Sequence, residues 1–151
     1  MTAASVMAVG ALAGVAGAGT ASATSYEVIK IKSWDGYCLS ISTATVGTRL
    51  DQVPCADAHN WWLTPEYDLY PEGHANVQVG DSGGYLKLKT AGTGTSAYVA
   101  GLATGPGNVV YQQLWFDVPD TYWHANGNGQ DVTFDNTPGD HANYWYLENV
   151  G

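Results

Sequence analysis

From Glu27 onward the chain alternates. The runs "EVIKIKSW", "YCLSIS", "YLKLKT" and "SAYVAGLA" set small or polar residues between large or apolar ones. That is the two-residue period of a strand with one face buried and one face wet. Between the runs stand "SWDG", "GDSGG", "TGPGN", "NGNG" and "NTPGD". Gly supplies positive φ, Pro fixes its own φ, and Asn and Asp bond back to the main chain, so each stretch reads as a turn. Helix signals are nearly absent. The pattern predicts an all-β domain of many short strands.

A longer period overlies the alternation. An amide, a bulky residue, a Trp and another bulky residue recur as Asn60-Trp61-Trp62-Leu63, Gln113-Leu114-Trp115-Phe116 and Asn143-Tyr144-Trp145-Tyr146. A second phrase, His-Ala-Asn, occurs at His74–Asn76 and at His124–Asn126. Units of about forty residues cannot bury an apolar face alone and must pack around a shared axis. On this frame Trp62, Trp115 and Trp145 are expected to be equivalent core residues. The frame is uneven: between Asp131-Val132-Thr133-Phe134 and Trp145 there is room for one turn, so either the third unit is short by a strand or the longer second unit lends it one.

Composition changes the picture at the N-terminus. Residues 1–23 carry no charged side chain, are mostly Ala, Gly, Val and Thr, and end in Ala21-Ser22-Ala23. This is the small-x-small ending of a secretory leader, although no Lys or Arg precedes the apolar run. Residues 1–23 are therefore expected to be a cleaved signal peptide and residues 24–151 a single secreted, extracellular domain. The two cysteines, Cys38 and Cys55, are an even pair in a secreted chain and are expected to form one structural disulfide. The net charge is −9, with six acids and no Lys or Arg after Thr90. That balance repels phosphate backbones and anionic lipid, which argues against nucleic-acid or membrane partners.

The repeated amide-x-Trp phrase resembles that of the ricin-type β-trefoil lectin domain. "DGYCLSIS…RLDQVPCADAHNWWL" is similar to the family's G-x-C-L-D-x … x-C … Q-x-W pattern, and "GGYLKLKT…AYVAGLAT…QQLWFDV" repeats the frame without cysteines. The resemblance covers nearly all of residues 24–151. It implies a β-trefoil of three repeats with the third shortened, a Trp from each repeat in a common core, and a disulfide between the second and third strands of the first repeat. It also implies carbohydrate binding, through a carboxylate or amide for vicinal hydroxyls and a ring for the apolar face of the sugar.

No repeat carries the family's complete galactose set. At the family's Asp position the first repeat has Ser40, and at its aromatic platform Val53. The remaining candidates fall in two groups. In the third repeat Asp131, Phe134, Asp140, His141 and Asn143 supply acid, ring and amide within fifteen residues. In the first, Asp51, His59 and Asn60 are expected to crowd one pocket with Trp61 as a stacking face.

Other chemistries find little purchase. His59, His74, His124 and His141 stand in no H-x-x-x-H or H-E-x-x-H spacing, so no metal site is expected. "DNTPGD" and "GNGQD" lack the alternating acids of an EF-hand loop. Asp117 and Asp120 are paired acids of a kind common on solvated turns, and no G-x-S-x-G, Ser-His-Asp frame or P-loop appears. The sequence predicts a non-enzymatic, monomeric, lectin-like protein that needs no cofactor and binds a glycan or polysaccharide. The alternative is a β-trefoil that has lost sugar binding and serves as a protein-binding or enzyme-inhibitor module.

Overall fold

The computed structural model describes residues 25–104, 109–116, 121–137 and 140–151, with residues 98–103 as backbone alone. The expected leader and the Asp117/Asp120 pair lie outside the described residues. The chain is all-β, a curled antiparallel half-barrel sheet. Its strands are β1 (Glu27–Ser33), β2 (Tyr37–Ile41), β3 (Leu50–Pro54), β4 (Trp61–Leu63), β5 (Leu69–Pro71) and β6 (Val77–Ser82). They continue as β7 (Tyr85–Thr90), β8 (Ala97–Thr104), β9 (Val110–Phe116), β10 (Thr121–His124), β11 (Thr133–Asp135) and β12 (Tyr144–Asn149). A 3-10 turn, His141–Asn143, precedes β12.

Apart from the β1–β2 and β9–β10 links between them, the pairings fall into two sets. One runs β5–β4–β1–β12–β9–β8, all antiparallel. Its two ends approach each other, because the Ala97 N–H donates to Tyr67 O at 3.0 Å and Ser96 Oγ to Asp68 Oδ1 at 2.6 Å. The other set is three hairpins, β2–β3, β6–β7 and β10–β11. They touch one another through single bridges at Arg49–Lys87, Asp51–Asp131 and Thr133–Tyr85. Each linear run thus alternates between strands of the curled ladder and hairpins that cover one end of it. Gly94 permits one close crossing, since a Cβ there would lie 2.5 Å from Val79 O and from the Gln78 side chain.

Alternation decides what is buried. In β1 the order of exposure puts Ile29, Ile31 and Ser33 inward. The core joins them to Leu39, Leu50, Leu86, Leu88, Phe116, Val132 and three tryptophans. Those tryptophans are Trp61, Trp123 and Trp145, each fully buried. This corrects the expected set of Trp62, Trp115 and Trp145. Neighbours on a strand face opposite sides, so burying Trp61 on β4 turns Trp62 outward, where it stacks on Tyr26 at 5.0 Å. Trp115 is only half-buried because the alternation on β9 buries its neighbours Leu114 and Phe116. Trp61 and Trp145 are the matched pair. Each indole N–H donates to a main-chain oxygen twenty-two residues earlier, Leu39 O at 3.1 Å and Trp123 O at 3.0 Å.

The Cys38–Cys55 disulfide is present, with Cα atoms 4.8 Å apart, and it clips β2 to the end of β3. Lys30 reinforces that corner by donating to Cys55 O and, at 3.0 Å, to Ala58 O. The fully buried Gln52 fastens distant segments. Its amide donates to Ser33 Oγ at 2.8 Å, and its oxygen accepts from the Asn126 and Gly127 N–H groups at 2.6 and 2.9 Å. Among the described residues no helix is long and apolar enough to cross a membrane.

Candidate functional site

The β10–β11 hairpin and the turn before β12 converge on a polar cluster. The hairpin registers Trp123 with Phe134 and His124 with Thr133. Trp123 is in the core and Phe134 packs against it, 5.5 Å from Phe116. The pleat therefore turns His124 and Asp135 to the other face. Opposite them, Asp140 caps the turn: its Oδ1 accepts the Ala142 N–H at 3.0 Å, as a short acidic side chain does for orphan N–H groups. The turn is held on the hairpin by Ala125 N–H donating to Ala142 O at 2.8 Å.

Asn143 is the hinge of the cluster. It is fully buried, and its Nδ2 donates to Asp135 Oδ1 at 2.9 Å and to Thr137 O at 2.8 Å. Asp135 Oδ1 also accepts the Thr137 N–H at 3.0 Å. With one oxygen so held, the carboxylate turns the other, Oδ2, toward His124. That oxygen lies 3.5 Å from His124 Nε2, and Asp140 Oδ2 lies 3.9 Å from the same nitrogen. Beside Asp140, the exposed His141 ring stacks on Trp34 with centroids 4.4 Å apart and planes at 21°. Trp34 rests in turn on Tyr111 and Tyr144, at 4.9 and 5.6 Å. Acid, amide and aromatic surface thus occupy one place.

Of the third-repeat residues singled out from the sequence, the structure brings Asp140, His141 and Asn143 together and separates Asp131 and Phe134. Asp131 is at the junction of the three hairpins, 2.8 Å from Arg49 Nη1. The Arg49 guanidinium is pushed further toward its charged form by that hydrogen bond and covers the Tyr85 ring at 3.8 Å. An open recess there is lined by Tyr85, Asn126, Gly129, Gln130, Asp131 and Thr133. Sequence reasoning missed Asp135 and His124. The signal was present: Val132 and Phe134 point inward, so Asp131, Thr133 and Asp135 must share the outer face.

Of the first-repeat group, the structure brings Asp51 and His59 together around Ser40, which pairs with Asp51, and takes Trp61 away from them. Trp61 is fully buried and offers no stacking face, a correction that follows from the same one-residue register. Asn60 Nδ2 donates to Glu72 Oε2 at 2.9 Å. His59 leans on Ser40, its Nδ1 3.3 Å from Oγ. Asp51 faces Asp131 across the hairpin junction. Burial raises the Asp51 carboxyl pKa, the Asp131 charge adds to the rise, and its own N–H and His59 oppose it. Its Oδ1 has no hydrogen-bond partner among the described residues.

No family model matches this chain, and no curated protein matches it.

Proposed function

We propose that this protein is a secreted, non-enzymatic, carbohydrate-binding β-trefoil whose glycan site is the cluster on β10, β11 and the 140–143 turn. The trefoil reading is supported by the pairing scheme, in which β1–β4, β5–β8 and β9–β12 each contribute two ladder strands and one hairpin. It is supported again by the matched indole bonds of Trp61 and Trp145. On this division the third unit has all four of its strands, and the "QQLWF" strand opens that unit instead of closing the second.

One observation carries the sugar-binding reading: Asn143, the amide of the repeated phrase, grips one oxygen of Asp135 and leaves the other to the His124–Asp140 cluster, whose turn carries His141 stacked on Trp34. An oriented carboxylate accepts two hydroxyls of a pyranose, and a ring covers its C–H face. A single shallow site of this kind gives about −4 to −8 kcal/mol, millimolar to micromolar affinity. The disulfide fits an oxidising, extracellular setting.

A glycan array followed by titration of its best hit tests the reading. Asp135→Asn keeps an oxygen for Asn143 but removes the charge, and should weaken binding about tenfold or more. Trp34→Ala should do the same through loss of the ring. Unchanged affinity in both variants, with the fold intact, refutes the site. An array with no hit favours the protein-binding alternative, for which the outward Tyr26, Trp62 and Tyr70 rings are the natural contact surface.

A further inference from the structure

We propose that His124, Asp135 and Asp140 form a binding site for a zinc-class divalent cation. The three side chains come from β10, β11 and the turn before β12, and one potential ligand atom from each lies within 4.8 Å of the others. Because the ligands come from three segments, no spacing along the chain announces them.

The hydrogen bonds around the cluster fix which atoms face inward. Asn126 Nδ2 donates to Asp131 O at 2.8 Å and Thr133 Oγ1 at 2.9 Å. Its Oδ1 is therefore the atom that meets His124 Nδ1, at 3.0 Å. A carbonyl oxygen only accepts, so Nδ1 carries the proton and neutral His124 turns the lone pair of Nε2 toward the two acids. This is how an outer partner commonly orients a metal-binding imidazole.

Both carboxylates are held in the same sense. Each has its Oδ1 engaged by N–H donors, from Asn143 and Thr137 for Asp135 and from Ala142 for Asp140. Each directs Oδ2 at Nε2, and neither Oδ2 receives another hydrogen bond among the described residues. Asn143, fully buried, directs its amide N–H at Asp135, and its Oδ1 is unpartnered among the described residues. Three lone-pair atoms thus converge with no Lys or Arg ion-paired to them among the described residues. A proton on Nε2 satisfies the group poorly, since 3.5 and 3.9 Å exceed good hydrogen-bond length. A cation bonded at about 2.0–2.2 Å draws such atoms to tetrahedral separations.

The donor set selects the ion. One imidazole with two carboxylates suits Zn²⁺, whereas Ca²⁺ and Mg²⁺ prefer all-oxygen shells. The exposed side of Asp140 leaves a fourth position for water. Asp135 is shared with the proposed glycan site, so the cation is tested without any sugar, and failure of either proposal leaves the other standing.

Untagged, chelator-treated protein titrated calorimetrically with Zn²⁺ should bind one saturable equivalent through these ligands. His124→Gln and Asp140→Asn should each weaken it by more than the roughly tenfold cost of a lost outer-shell partner. Asp140→Asn keeps an acceptor for the Ala142 N–H, so the turn persists, and circular dichroism checks the fold of both variants. Long-range ¹H–¹⁵N spectra should show His124 Nε2 shifting on addition of Zn²⁺ while Nδ1 remains protonated. No saturable binding, binding indifferent to both substitutions in folded protein, or displacement of Zn²⁺ by equimolar Ca²⁺ would each overturn the proposal.

Discussion

The adjacent tryptophans on β4 give the most discriminating stability experiment. Trp61→Ala removes a fully buried indole and its hydrogen bond to Leu39 O. A large-to-small change of this kind costs about 3–5 kcal/mol, of which the hydrogen bond supplies about 1 kcal/mol. Trp62→Ala removes a half-buried ring stacked on Tyr26. The pair is worth about 0.5–1.5 kcal/mol beyond area, and the part-exposed indole loses less burial, so about 1–2 kcal/mol is expected. With a urea slope of about 1–3 kcal/mol per molar, Trp61→Ala should move the midpoint down by roughly twice as much as Trp62→Ala or more. Far-ultraviolet circular dichroism is the assay, because both variants alter the fluorophore. A Trp62→Ala cost equal to or above that of Trp61→Ala would return the core to the other register and refute the pairing of β4 described here.

Replacing Cys38 and Cys55 together by Ala should lower stability by about 3 kcal/mol on the chain-entropy account, seen as a lower unfolding midpoint with glycan affinity unchanged. Gln52→Ala should cost about 2–4 kcal/mol by leaving the Asn126 and Gly127 N–H groups without their acceptor and Ser33 Oγ without one of its donors, measurable in the same urea transition. Asp51→Asn should stabilise the fold at neutral pH. The native state raises the Asp51 pKa above 3.8, so its contribution is favourable in acid and lost as pH rises through the raised value. The advantage of the variant should therefore fade as pH falls through the raised value and be gone below 3.8, and a pH-independent difference in thermal midpoint would contradict this.

Much of the fold was legible because it rests on local periodicity. The alternation of "EVIKIKSW" and "YLKLKT" predicts β1 and β7, and the even cysteine pair predicts the Cys38–Cys55 bond. What escaped was register. In Trp61-Trp62 two equal residues stand side by side, and a slip of one residue exchanges core for surface. The "QQLWF" phrase misled for another reason: its strand pairs with the strand bearing Trp145, a long-range contact that no local pattern reveals. The site divided along the same line. Asp140, His141 and Asn143 are near one another in sequence and were visible. Choosing Phe134 as a ring for sugar passed over Asp135, which alternation places on the opposite, solvent-facing side. His124 was visible only as part of a repeated phrase, since its partners lie eleven and sixteen residues further on.

The central claim is that Asp135, oriented by Asn143 in the cluster whose turn carries His141 stacked on Trp34, meets a glycan. A ¹H–¹⁵N correlation spectrum recorded during titration with the best array hit tests it most directly, because the six indole N–H signals and the Asn143 carboxamide report separately. The account predicts that the Trp34 indole and the Asn143 amide shift together and saturably while Trp61 and Trp62 stay fixed. Movement confined to Trp62 and its neighbours, with Trp34 and Asn143 unmoved, would contradict it.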